Sequence, residues 1–296
     1  MNFIKLYFEF LNTYGYKRLK ATTLRGYITN CEKYIIPICG NDKLNHIDYD
    51  VVDEVTNYCF ACDLSNTSVI YVLKTFSKIM SYAVKRKYIG YNPLIDYDFP
   101  RKKAYQYHIL SMVDMNHLID VCFVKDSCIS LPILLAAHYG LRRGEISALK
   151  VSDIDFEKHI IHVNKSKNIV YSNTVIDTPK NDKFRDILIS DDDIFFIDIY
   201  NSRREPNKDG FLIRYYDGHA LSPNLYSKLL KSMLNLLKMP VVRFHDLRHS
   251  YATHMINSGV SPKIVSSVLG HSSVKFTLDT YVHTNIKDQK ELLNLL

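Results

Sequence analysis

Apolar residues recur at helical spacing through the first hundred positions. Leu24, Tyr27, Ile28, Cys31, Tyr34 and Ile35 fall at intervals of three and four. That spacing predicts a helix capped by Thr22 or Thr23 and stopped by Pro37 and Gly40. A second helix follows Asp50. A third begins near Ser65 to Thr67 and runs through Val69, Val72, Leu73, Phe76, Ile79, Met80 and Ala83. It ends in the basic turn Lys85-Arg86-Lys87, the charge sign that suits a helix C-terminus. Gly90 and Pro93 break the pattern, so residues 1–97 read as one all-helical domain. Residues 98–110, where Pro100 is followed by Arg101, Lys102 and Lys103, read as an extended basic linker.

Helical spacing resumes at Ser111, but three β-rich runs interrupt it: His159 to Asn164, Thr174 to Thr178, and Arg185 to Ile189. Three strands so close in sequence predict one small antiparallel sheet at the edge of a second, helical domain spanning residues 111–296. After Pro223 the pattern is helical to the end. Ser261-Pro262 opens one of these helices and Gly270 closes it. The fold class is therefore mainly α, with a small antiparallel β-sheet in the C-terminal domain.

Composition narrows the class further. The chain has 296 residues, 47% hydrophobic and 23% charged, which suits two folded domains and excludes a disordered polymer. Lys and Arg exceed Asp and Glu by seven, a surplus that permits a polyanionic partner without demanding one. No apolar run approaches the ~20 residues that span a bilayer. Lys5 and Glu9 interrupt the apolar N-terminus, which excludes a signal peptide, so a soluble cytoplasmic protein is expected. The cysteines lack framework spacing, and Cys59-Phe60-Ala61-Cys62 reads as a pair of semi-buried core thiols.

Four segments of the second half concentrate reactive side chains: Gly140-Leu-Arg-Arg-Gly-Glu145, Thr178-Pro-Lys-Asn-Asp-Lys183, His245-Asp-Leu-Arg-His-Ser-Tyr-Ala-Thr-His254 and Leu269-Gly-His-Ser-Ser273. Thr277-Leu-Asp-Thr-Tyr-Val-His283 follows the last of them. A nucleotide-cradling glycine loop, a nucleophile-elbow serine and clustered carboxylates are all missing. His245 and His249 have the spacing of a metal pair, but a third ligand is lacking, and no metal site or cofactor is expected. Arginines, a lysine, histidines and a tyrosine suit chemistry on a phosphodiester. Guanidinium forks match phosphate oxygens, an ammonium can protonate a departing sugar oxygen, and a phenol can attack once helped to ionise.

In order and spacing these segments resemble the tyrosine recombinase (phage integrase) family. The match covers essentially the whole second half. The first half is similar to that family's helical core-binding domain, with Ala21-Thr-Thr-Leu-Arg-Gly-Tyr27 near its start and Tyr91-Asn-Pro93 before the linker. The resemblance implies a two-domain clamp on DNA. It implies that Arg142 and Arg248 grip the scissile phosphate, and that Lys180 is the general acid for the 5′-hydroxyl leaving group. Lys165 and Lys167 lie close by in sequence. Lys180 is preferred because Thr-Pro-Lys precedes a strand rich in Ile and Leu. His245 would assist proton removal, His271 would hydrogen-bond a non-bridging oxygen, and Tyr281 would attack to form a 3′-phosphotyrosine. Glu145, three after the first arginine, is read as a buttress.

The implied activity is site-specific DNA recombination, mobile-element integration or chromosome-dimer resolution, without metal or ATP. Two other readings remain: a DNA-binding protein with a vestigial catalytic set, and a DNA-relaxing enzyme of the same chemistry. The implied partners are double-stranded DNA with specific sites and a homotetramer on two sites, with room for a directionality factor. By charge alone, Lys17, Arg18, Lys20, Arg25, Arg101, Lys102 and Lys103 are candidate DNA contacts. Leu292, Leu293, Leu295 and Leu296 form an apolar tail that would dock on a neighbouring protomer or on its own domain.

Overall fold

Helix α1 (Phe3–Phe10) starts where the Asn2 side chain accepts from the backbone N–H of Lys5 at 3.2 Å. Its residues Phe3, Leu6, Tyr7 and Phe10 share one face and are buried. The computed structural model describes residues 1–102, 107–170, 173–177, 184–270 and 273–281. Of these, it leaves out the side chains at 169–170, 173–175, 177, 276 and 279–281. The chain divides into two units, Met1–Gln106 and Tyr107–Leu296.

In the first unit α1 passes through a π-helical turn, Leu11–Gly15, into α2 (Tyr16–Arg18). The next helix, α3 (Ala21–Asn30), starts earlier than the sequence suggests. Lys20 is its N-cap, with extended backbone, and accepts the first helical bond from Leu24 N–H. Thr22 and Thr23 therefore fall inside the first turn rather than capping it. Pro37 does not stop the helix either. A π-turn at Cys31–Ile35 carries the chain into α4 (Ile36–Cys39), with Pro37 in its first turn, where a missing N–H costs little. The next two helices, α5 (Tyr49–Ala61) and α6 (Asn66–Lys85), are capped by the side chains of Asp48 and Ser65. Their apolar faces and that of α1 enclose a core containing Phe3, Leu6, Phe10, Ile35, Leu73 and Phe76.

Two polar residues tie this core together. Asn30 donates to Thr75 Oγ1 at 2.8 Å, joining α3 to α6. Asn92, fully buried, donates to Ser77 O, Ser77 Oγ and Ser81 Oγ and accepts from Leu94 N–H, pinning the chain that leaves α6 back onto that helix. Cys59 is buried whereas Cys62 is exposed, so only the first is a core thiol.

The second unit is built around α8 (Ser130–Tyr139), nearly every residue of which is buried. A helix apolar on all sides must be surrounded, and α8 packs with α7 (Met112–Val124), α9 (Arg143–Ala148), α10 (Asp191–Ser202) and α12 (Phe244–Asn257). The remaining helices are α11 (Tyr226–Leu236), α13 (Pro262–Leu269) and α14 (Val274–Tyr281). Strands β1 (Ile154–Asp155), β2 (Ile160–Val163) and β5 (Arg185–Leu188) form an antiparallel sheet in the order β1-β2-β5. The middle predicted strand does not join it. As β4 (Asn173–Asp177) it pairs instead with β3 (Ser166–Val170) in a separate ribbon. The start of β3, Ser-Lys-Asn, has low strand propensity and reads as a turn, and cross-strand pairing overrides that preference. Among the described residues, no helix is long and apolar enough to cross a membrane.

Asn92→Ala is expected to lower the unfolding free energy by about 1–3 kcal/mol, because it strands buried hydrogen-bonding groups. A denaturant titration followed by circular dichroism, with faster amide exchange in α6, checks this.

Candidate active site

The site is assembled at helix ends. Helix α8 closes on Gly140 in the left-handed conformation, at φ 63°. Two residues later Arg142 becomes the N-cap of α9. Glu145, in the first turn of α9, accepts from the Arg142 backbone N–H at 2.8 Å and from Arg142 Nη1 at 2.8 Å. Its carboxylate also takes a fork from Arg185 at the start of β5, Nη1 to Oε1 at 3.1 Å and Nη2 to Oε2 at 2.8 Å. Burial opposes ionisation of Glu145, but the two guanidiniums outweigh it and hold the carboxyl at about 2.

The end of α13 receives all three arginines. Val268 O accepts from Arg185 Nε at 2.6 Å, Leu269 O from Arg248 Nη2 at 2.8 Å, and Gly270 O from Arg142 Nη2 at 2.8 Å. Arg248, on α12 and 2% exposed, also donates from Nη1 to Gly140 O. These carbonyls lie at helix C-termini, where the dipole favours positive charge. Gly270 is required there twice over. Its φ is +63°, and a Cβ would stand 3.0 Å from Arg185 Nη1 and 3.4 Å from Arg142 Nη1.

The N-terminus of α12 repeats the device seen at α9. Arg243 caps it, and the buried Asp246 accepts from the Arg243 backbone at 3.0 Å and from its Nη2 at 2.9 Å. His245 and His249 project from this helix with ring centroids 4.8 Å apart and nearly perpendicular. The His249 ring also lies 4.0 Å from that of Tyr107. His245 is exposed to solvent, yet the protein packed around it and the charges of Arg248 and Arg142 push its imidazole down to about 4. Burial and the His245 neighbour push His249 down to about 4 as well. Both rings are neutral at pH 7, so His245 can accept a proton. The arginines, fixed on carbonyls, present guanidinium charge suited to a tetrahedral oxyanion.

The phage integrase family model matches residues 109–288, and its SAM-like domain model matches residues 2–99. The chain belongs to the phage integrase family. It is accordingly a tyrosine recombinase, an enzyme of site-specific DNA recombination. It is 24% identical over 301 residues to a XerC-like tyrosine recombinase of Caldanaerobacter subterraneus subsp. tengcongensis, covering 92% of this chain and 75% of the relative. It is 25% identical over 289 residues to the ICEBs1 integrase of Bacillus subtilis, covering 91% and 75%. Its fold is shared by the Tn1549 transposon integrase solved with transposon right end DNA, at TM-score 0.85, 18% identity and coverage of 100% and 99%. A lambda integrase dimer bound to a core site aligns at TM-score 0.74, 16% identity and coverage of 97% and 100%.

Within this integrase the structure brings Arg142, Glu145, Arg248 and His245 together. Tyr281 is the last residue of α14, which packs on α12 and α13. Lys180, His271, Lys103 and the apolar tail lie outside the described residues. The alternative lysines are engaged elsewhere. Lys165 Nζ pairs with Asp153 at 2.8 Å, and Lys167 Nζ lies 3.8 Å over the Phe211 ring. Burial pushes the Lys167 ammonium down from its ordinary value. Lys17, Arg18, Lys20 and Arg25 are exposed in the first unit, as are Arg101 and Lys102.

Sequence reasoning missed Arg185, and it missed Lys74 and Lys78, two exposed cations one helical turn apart on α6. No sequence signal marks Arg185, since a cation opening a short β-run is ordinary. Lys78 Nζ lies 5.2 Å from the Tyr14 ring centroid, over which Arg18 also leans at 5.8 Å.

Gly270→Ala is expected to cost about 1–2 kcal/mol for its left-handed backbone. It should also slow strand cleavage by displacing the arginines, with DNA affinity unchanged; melting curves and cleavage rates check both. Because His245 and His249 have depressed pKa values, the folded chain binds fewer protons than the unfolded one between about pH 6.5 and pH 4. Stability should therefore be complete above that window and fall as acid is added through it. Imidazole proton NMR should place both midpoints near 4.

Proposed function

We propose that Tyr281 is the nucleophile of this integrase and attacks the scissile phosphate of a DNA strand. The phenolic oxygen–phosphorus bond forms as the bond from phosphorus to the 5′ oxygen breaks. His245 receives the phenol proton and Lys180 delivers a proton to the leaving 5′-hydroxyl. Arg142 and Arg248 hold the non-bridging oxygens, joined by His271, and Glu145 fixes Arg142. The product is a 3′-phosphotyrosine. It keeps the energy of the phosphodiester, so a 5′-hydroxyl from another duplex rejoins the strand without ATP.

The observation that carries this reading is the convergence of Arg142 and Arg248 on adjacent carbonyls, Gly270 and Leu269, beside a neutral His245. The commitments of Lys165 to Asp153 and of Lys167 to Phe211 support Lys180 as the acid. DNA-bound structures of the Tn1549 and lambda integrases, including a lambda tetramer on a Holliday junction, support double-stranded DNA as the partner and four protomers on two sites. Residues 1–97 would act as the core-binding domain, residues 98–110 as a basic strap and residues 111–296 as the catalytic domain. Lys17, Arg18, Lys20, Arg25, Arg101, Lys102 and Lys103 would contact the phosphate backbone, joined by Lys74 and Lys78. A directionality factor and a cytoplasmic site of action complete the reading.

A nicked suicide substrate tests the chemistry. The wild-type chain is expected to become covalently attached to DNA through Tyr281, unaffected by excess EDTA, while Tyr281→Phe yields no adduct. An adduct at full yield in Tyr281→Phe overturns the assignment. Arg18→Ala is expected to weaken DNA binding and to flatten the dependence of log affinity on log salt by about 0.9, the slope of one lost phosphate contact.

A further inference from the structure

Arg185 is a buried cation for which the cleavage chemistry above has no use. It opens β5, where it pairs in register with Val163 of β2, and its side chain is 8% exposed. All of its guanidinium nitrogens are spoken for: two on the Glu145 carboxylate and one on Val268 O. Glu145 is almost wholly buried, and among the described residues its other hydrogen-bond partner is Arg142.

We propose that Arg185 is a positioning residue for strand cleavage, holding Glu145 so that this carboxylate orients Arg142 without consuming its charge. A buried carboxylate must be compensated. With Arg185 in place the fork from β5 supplies much of that compensation, and Arg142 shares Oε1 at 2.8 Å while its Nη2 reaches Gly270 O. With Arg185 gone, Glu145 turns wholly to Arg142, and the guanidinium meant for the phosphate becomes an internal counter-ion. The Arg185 bond to Val268 O acts on the same group from the other side, since Val268 lies two residues before the carbonyl that seats Arg142. This inference rests on the cleavage reaction proposed above.

The test measures the rate of covalent attachment to a nicked suicide substrate at saturating protein, together with DNA affinity and melting temperature. Arg185→Met is expected to slow attachment by about 100-fold, the scale of a misplaced reacting group, with DNA affinity within about twofold of wild type. Arg185→Lys, which keeps charge but not the fork, should fall between. Adding Glu145→Gln to Arg185→Met should cost nothing further, because the unbalanced carboxylate is then gone. Attachment by Arg185→Met at the wild-type rate overturns the proposal. Equal losses of attachment and affinity, or losses from the two substitutions that multiply, also overturn it. If Arg185→Met melts below the assay temperature, Arg185→Lys with and without Glu145→Gln decides by the same criteria. A wild-type chain that forms no adduct refutes the cleavage reaction itself, a result distinct from any behaviour of Arg185.

Discussion

Three consecutive carbonyls at the end of α13 hold the site together. Val268, Leu269 and Gly270 each accept from a different arginine, and those arginines come from β5, α12 and the N-cap of α9. These elements are far apart in sequence. The terminal carbonyls of a helix have no partner within the helix, so they are free to accept from outside it. A turn that leaves three of them facing one way is a ready seat for cations. The left-handed Gly270 opens that turn, and its missing Cβ lets two guanidiniums approach from one side.

Carbonyls can hold an arginine without cancelling its charge, and that difference decides what the pocket can do. Gly140 O and Leu269 O align Arg248 in this way. Glu145 is the acid drawn into the cluster, and two guanidiniums share it. The same positive field explains His245, whose imidazole is kept neutral first by the protein around it and then by its cationic neighbours.

Much of this was legible in the sequence. Arg142, Glu145, His245 and Arg248 stand in runs that resemble the family's motifs in order and spacing, and the helices around Ser65 and Asp50 follow their apolar period. Asn92 was visible only as part of Tyr-Asn-Pro, because the hydrogen bonds that make it matter depend on Ser77 and Ser81 one turn apart on α6. Arg185 was not legible. A cation at the mouth of a short strand is ordinary, and its meaning comes from a carboxylate forty residues earlier and a carbonyl eighty-three residues later. The pairing of β3 with β4 was missed for a related reason: Ser166, Lys167 and Asn168 carry little strand preference and are strands only because β4 lies alongside. The π-turn at Cys31–Ile35 that carries the chain from α3 past Pro37 likewise has no simple periodic signature.

Two helices of the second unit begin with the same arrangement, an arginine N-cap whose backbone and guanidinium both bond to an acid three residues on. At α12 the pair is Arg243–Asp246, with Arg243 exposed at the helix start. At α9 the same pair is opened by a third party, Arg185, and Arg142 turns one nitrogen to Gly270 O. One local motif thus gives a structural cap in one place and a charged pocket in the other. The acid is common to both, and at α9 a second cation, Arg185, bonds to it as well. On the cleavage reaction proposed above, the competition for Glu145 sets how much positive charge is left for a phosphate.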